Sequence, residues 1–221
     1  MRAFTLDEKG VIAALLLGVA ILIFGGVLGP YFLLTLLLFL IVSAVVTDLG
    51  KGKKELIGVY EKARGWKNVL ANGGVPLALA ILFAAASQLS KQYTLILPIA
   101  IAYTASISAV MADKFASEVG VLDGVPVMLL TLRKVSKGTS GAVTWLGTIA
   151  SALGSAIIAL CIFLLYNSLF YFAIILVSGF VGSVVDTVFG YFEEQHIGNK
   201  YTSNLACAVA GALLAVLLLL L

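Results

Sequence analysis

Residues 108–141 read SAVMADKFASEVGVLDGVPVMLLTLRKVSKGTSG. The stretch lies between two long apolar runs. It carries Asp113, Lys114, Glu118, Asp123, Arg133, Lys134 and Lys137, and it closes on Gly138-Thr139-Ser140-Gly141. Such a density of charge is foreign to the rest of the chain, whose 221 residues are 62% hydrophobic and only 11% charged, with a mean hydropathy of +1.13. Soluble domains carry about 25% charged residues. The stretch therefore reads as a polar island at the ends of membrane-spanning elements. The flanking runs are long enough for helices and show no alternating barrel pattern. The expected fold is an all-α, polytopic integral membrane helix bundle.

Working outward, the hydropathy pattern predicts about seven transmembrane helices at 11–28, 31–47, 74–90, 94–111, 142–165, 169–188 and 204–221. The first run is expected to be a span and not a cleavable signal peptide, because no short apolar core with a small-residue cleavage site is evident. Gly29-Pro30, Lys91-Gln92-Tyr93 and Tyr166-Asn167-Ser168 make three minimal connections. The loops 48–73, 112–141 and 189–203 hold nearly all the charge. Of the 14 Lys and Arg, Arg2 and Lys9 lie at the N-terminus, Lys51, Lys53, Lys54, Lys62, Arg64 and Lys67 in the first loop, Lys114, Arg133, Lys134 and Lys137 in the second, Lys200 in the third, and Lys91 alone elsewhere. The positive-inside rule then places the N-terminus and all three long loops in the cytoplasm. The segment 125–132 could alternatively dip into the membrane as a re-entrant piece.

A faint repeat supports this topology. SAVVTD (43–48), SAVMAD (108–113) and, more loosely, VGSVVD (181–186) each end a span at the cytoplasmic side. The helix that follows each begins with small or amide residues. The chain thus reads as internal helix-pair repeats that bring an acid and a helix start to one face.

Several function classes are excluded or disfavoured early. A net charge of +3 is too small to argue for nucleic acid. His196 is the only histidine, and Cys161 and Cys207 both sit in apolar runs, so zinc or triad chemistry has little material.

The remaining candidates are acids, bases and amides. Asp113, Glu118 and Asp186 are candidate catalytic and metal-binding residues. Acids near membrane depth are costly and face polar cavities, and hard oxygen ligands with phosphate suit Mg²⁺. Asp113 and Glu118 are five residues apart, about 140° on a continuous helix, so they converge only if the helix breaks near Gly120. The plainer reading pairs Asp113 with Lys114 and makes Asp186 a packing residue. Lys134, Lys137, Gly138, Thr139, Ser140 and Gly141 run into the fifth span and read as a phosphate cradle at a helix N-terminus, or as an ordinary cap with snorkelling lysines. Asn68 and Asn72 share a helix face and could orient a phosphate or a base, and Asn204 stands at the start of the last span. Acids, bases and a helix start beside lipid suit phosphoryl transfer to a lipid phosphate from a nucleoside triphosphate.

At these residues the sequence resembles a known family. NVLANGG (68–74), ADKFASEVGVL (112–122), KGTSGAVTWLGTIAS (137–151) and GSVVDTVFG (182–190), with the later Asn204, are similar to the signature blocks of the transmembrane protein 19 family. Lys114-Phe115 stands where Thr-Trp is usual, Ser136-Lys137 where Pro-Pro is usual, and Ala142 where a second glycine is usual. The family includes plant phytyl-phosphate kinase. The resemblance implies an Mg²⁺-dependent kinase that converts an isoprenyl monophosphate to the diphosphate with CTP or another nucleoside triphosphate. Other readings are a polyprenol kinase, a cytidylyltransferase, or a small-molecule or lipid transporter. Monomer and homo-oligomer are both open.

Overall fold

The computed structural model describes residues 5–89 and 95–221. Lys91-Gln92-Tyr93, expected as an outer connection, lies outside the described residues. The described elements are helices α1 (Glu8–Phe24), α2 (Gly29–Asp48), α3 (Lys51–Leu56), α4 (Trp66–Leu89), α5 (Ile96–Gly120), α6 (Trp145–Tyr166), α7 (Leu169–Glu193) and α8 (Lys200–Leu219), with one two-stranded ladder, β1 (Val127–Met128) and β2 (Ala142–Val143). Six helices are long and apolar enough to cross a membrane: α2 with the preceding turn, α4, α5, α6, α7 and α8. The predicted first span, α1, has 17 residues, the short end of the spanning range. It leaves Ile12, Leu15, Leu16, Val19 and Ile23 exposed, as a lipid-facing helix would.

Two sequence expectations change in detail. Gly29-Pro30 is not itself the turn. Gly26–Leu28 form a single 3₁₀ turn, and Pro30 sits at the start of α2, where its missing N–H costs nothing. The polar helix ends are also longer than hydropathy suggests. α4 begins eight residues before 74, and α5 and α7 run past 111 and 188 to Gly120 and Glu193. Their polar ends lack hydropathy but keep the helical backbone. The segment 125–132 is no helix. Its residues 127–128 pair with 142–143, Val127 opposite Val143, while Leu130 and Leu132 are exposed.

α5 is the central element, and every residue from Ile99 to Ala112 is buried. Its partners approach it through small residues. A Cβ on Gly182 of α7 would lie 2.5 Å from the Ala109 Cβ and 2.9 Å from the Cys207 carbonyl; one on Gly211 of α8 would lie 2.8 Å from Ala109 Cβ. Ser108 and Ser155 share a 2.8 Å hydrogen bond between α5 and α6, and Ser151 and Ser183 one of 2.5 Å between α6 and α7. Lipid tails are as apolar as Leu, so helices in a bilayer hold each other by such close backbone approach and hydrogen bonds. On the other side, Phe32 of α2 stacks on Tyr103 with ring centroids 3.9 Å apart, and the Tyr103 hydroxyl donates to the Phe32 carbonyl.

Gly182→Ala should therefore overpack the α5–α7–α8 contact at a cost of about 1–3 kcal/mol, lowering Tm by roughly 2–12 °C. Val181→Ala, on an exposed neighbouring position, should leave Tm nearly unchanged. Thermal unfolding of the purified protein in detergent measures both.

Candidate functional site

All three long connections meet the ends of α4, α5, α7 and α8 around one cavity of about 330 Å³. Asp113 enters it from α5 and Asp186 from α7, and the two carboxyl groups are close enough to interact electrostatically. Two facing carboxyl groups need something positive between them, either a shared proton or a bound cation. Asp186 Oδ1 is buried and has no hydrogen-bond partner among the described residues. The same holds for Asn72 Oδ1, on the same cavity wall.

Asn68 and Asn72 share a face of α4, as their spacing predicts, and Asn72 Nδ2 donates to Asn68 Oδ1 at 2.9 Å. Asn204 also lines the cavity. The cap of α8 is Asn199, whose side chain accepts from the backbone N–H groups of Tyr201 and Thr202, which leaves Asn204 free of a capping role.

Glu118 is set apart from the aspartate pair. α5 does not break near Gly120 before reaching it, so Asp113 and Glu118 point to different neighbours. Glu118 instead binds Lys54 Nζ at 2.7 Å, Arg64 Nη2 at 2.8 Å and Lys114 Nζ, and it accepts from Thr47 Oγ1 at 3.1 Å. Lys54 is only 1% exposed, and it also donates to the Val46 and Thr47 carbonyls at the end of α2. That arrangement satisfies orphan carbonyls and the negative end of the helix dipole. Arg64 reaches Glu61 at 3.0 Å, and Lys200 reaches Glu61 at 3.3 Å. Burial resists ionisation of Glu61, but Lys200 and Arg64 outweigh it and hold the carboxyl below its ordinary range.

The turn Gly138–Gly141 lines the cavity, but it is not a helix N-terminus. β2 intervenes, and α6 starts at Trp145 with Thr144 as its cap. Two of the turn's backbone donors are also engaged. Ser140 N–H donates to Glu194 Oε1 at 2.9 Å, and Thr139 N–H points to the Ser136 carbonyl. Gly141, at φ +76°, packs so closely on Gly190 that a Cβ there would lie 2.9 Å from the Gly190 carbonyl carbon. Lys134 and Lys137 are not among the cavity-lining residues; Lys134 is exposed, its backbone bridged to Val127. The cations that do line the cavity are Arg64, Lys114 and Lys200. In the sequence Arg64 and Lys200 read only as loop charge at the membrane boundary, shared with several solvent-facing lysines; Lys114 reads as a partner for Asp113, whereas it binds Glu118 one helical turn on. The repeat is also incomplete: Asp48 is exposed and accepts from Tyr60 at 2.7 Å, away from the aspartate pair.

The donor set fits Mg²⁺ as it is held beside phosphates. Among the described residues no three His, Cys, Asp or Glu side chains group into an all-protein cage. Mg²⁺ commonly takes one or two carboxylates, water and substrate phosphate oxygens, and two facing aspartates with an orphaned oxygen supply that much. The lining carries Arg64, Lys114 and Lys200 against the five acidic side chains Glu61, Asp113, Glu118, Asp186 and Glu193, a composition that suits a divalent cation.

Glu118→Gln would leave Lys54 and Arg64 without their shared anion, and it should destabilise the fold by roughly 3–5 kcal/mol. Lys134→Ala should cost no more than about 0.5 kcal/mol; thermal unfolding in detergent compares them. Glu61 gives a pH test. Its carboxyl is lowered in the fold, so its stabilisation is present above the unfolded value of about 4.3 and is lost as pH falls through the folded value. The stability gap between the parent and Glu61→Gln should be largest near neutral pH and shrink as the pH falls below the unfolded value of about 4.3.

Comparison with known proteins follows the same outline. The family of integral membrane proteins described as DUF92 matches residues 1–218. An uncharacterized membrane protein of Methanocaldococcus jannaschii is 35% identical over 215 residues, covering 96% of this chain and 85% of that one. Protein PGR of Arabidopsis thaliana is 27% identical over 177 residues, 70% of this chain and 62% of its own length. An uncharacterized membrane protein of Synechocystis is 36% identical over 129 residues, 58% of this chain and 49% of its own. No solved structure matches. The chain belongs to the DUF92 family of integral membrane proteins, which corresponds to the transmembrane protein 19 family.

Proposed function

We propose that the protein is a membrane-embedded isoprenyl-monophosphate kinase, transferring a phosphoryl group from CTP or another nucleoside triphosphate to a phytyl- or geranylgeranyl-type monophosphate. The observation that carries this reading is the facing pair Asp113 and Asp186, with a buried unpartnered oxygen, in a cavity walled by Arg64, Lys114 and Lys200. In the reaction, an oxygen of the lipid monophosphate attacks the γ-phosphorus. The bond from that phosphorus to the β–γ bridging oxygen breaks, and the nucleoside diphosphate leaves. No protein nucleophile is needed; positioning and charge neutralisation do the work. Mg²⁺, when bound, supplies Lewis-acid neutralisation of phosphate charge. Asp113 and Asp186 would hold it. Arg64, Lys114 and Lys200 would neutralise the remaining oxygens, and Asn68, Asn72 and Asn204 would orient them. The basic loops around this cavity favour the cytoplasmic face, where nucleoside triphosphates are.

A polar path through the bilayer would favour a transporter instead. Above the aspartates, α5 is packed against Phe32, Phe83 and Ile158 on one side and Ile162, Ile175 and Ala215 on the other, which supports a one-sided site.

Purified protein incubated with Mg²⁺, labelled nucleoside triphosphates and geranylgeranyl or phytyl monophosphate should form the diphosphate. Asp113→Asn and Asp186→Asn should each slow it by about 10²-fold or more. Absence of product with every donor, together with substrate-dependent flux in sealed vesicles, would overturn the kinase in favour of the transporter.

A further inference from the structure

We propose that the groove between α1, α2 and α4 seats the first isoprene unit of the isoprenyl monophosphate, with its phosphate at Arg64, Asn68 and Asn72 and the rest of the chain running out into lipid; the ligand's identity rests on the kinase reading above. A second cavity, of about 80 Å³, lies in this groove and is walled by Leu17, Gly18, Leu33, Leu36, Leu37 and Leu40, among others. It shares Arg64, Asn68 and Asn72 with the aspartate cavity. The two cavities therefore adjoin at these residues, an apolar groove beside a cationic, amide-rich end, which suits an amphiphile with an anionic head. A chain entering from the bilayer has a route, because Leu37 is exposed on the lipid-facing side.

Two glycines line the groove where its walls come close. A Cβ on Gly73 would lie 2.6 Å from Leu17 Cδ1, and one on Gly18 would lie 3.4 Å from Leu33 Cδ1. The polar end is roofed by the N-terminal segment. Asp7 N–H donates to the Arg64 carbonyl at 3.0 Å, and Arg64 N–H donates to the Thr5 carbonyl at 2.9 Å. Leu6 is buried beneath that pairing. This latch fixes Arg64 where the two cavities meet. A phosphate at the junction would face Asp113 and Asp186 across the larger cavity, the side from which a donor phosphate must come. The opposite flank of α5 offers no such space, because Gly182 and Gly211 close it against Ala109.

The test uses the full chain in lipid nanodiscs and a geranylgeranyl monophosphate carrying a diazirine on its first isoprene unit. After irradiation, adducts are mapped by peptide mass spectrometry. The expected adducts fall on residues 14–18 and 33–40 and disappear with excess unlabelled geranylgeranyl monophosphate. Gly18→Phe should reduce them roughly tenfold; the mapping on the parent protein stands even where that variant folds poorly. Adducts confined to α5–α8, or adducts that the unlabelled lipid does not compete, would overturn the groove. Diphosphate formation is read in the same nanodiscs. Competed adducts in the groove without product would support the groove and sink the kinase reading, whereas product with adducts elsewhere would sink the groove alone.

Discussion

The close approach of α7 and α8 to α5 governs the rest of the structure. In a bilayer no hydrophobic force gathers helices, so contact depends on side chains small enough to let backbones meet. Gly182 and Gly211 meet Ala109 in this way, and paired serines stitch α6 into the same face. One helical turn beyond Gly182 and Ala109 on their own helices come Asp186 and Asp113. The packing that makes the bundle stable is therefore the packing that sets two acids face to face, at a depth where neither would be tolerated alone.

The second constraint is electrostatic. Glu118 gathers Lys54, Arg64 and Lys114, and Glu61 links Arg64 to Lys200. These pairs tie the end of α2, the first long loop, the end of α5 and the start of α8 into one network. Buried ion pairs add little net stability, because desolvation offsets attraction, but leaving one partner alone is costly, so the side chains stay paired. Here they hold the cationic wall opposite the aspartates before any ligand arrives. Such preorganisation is what phosphoryl transfer asks of a protein.

Much of this was legible in the sequence. The fold class followed from composition, and the Asn68–Asn72 face followed from helical spacing. Asp113 and Asp186 stand out in the sequence because acids near apolar runs are expensive. What was not legible depended on where backbones continue or turn. Glu118 joins Asp113 only if α5 breaks near Gly120, and the helix runs on to that residue. Residues 138–141 resembled a helix N-terminus, yet two strand residues and Thr144 separate them from α6. Lys134 and Lys137 adjoin that turn in sequence, which Arg64, Lys114 and Lys200 do not. Only tertiary structure reveals which basic side chains face inward.

The most direct test of the proposed centre is metal binding by electron paramagnetic resonance. Mn²⁺ would be titrated into the purified protein with pyrophosphate as the phosphate source. The account predicts a bound Mn²⁺ signal that is lost in both Asp113→Asn and Asp186→Asn and kept in Lys134→Ala. Unchanged Mn²⁺ binding in both asparagine variants would contradict it.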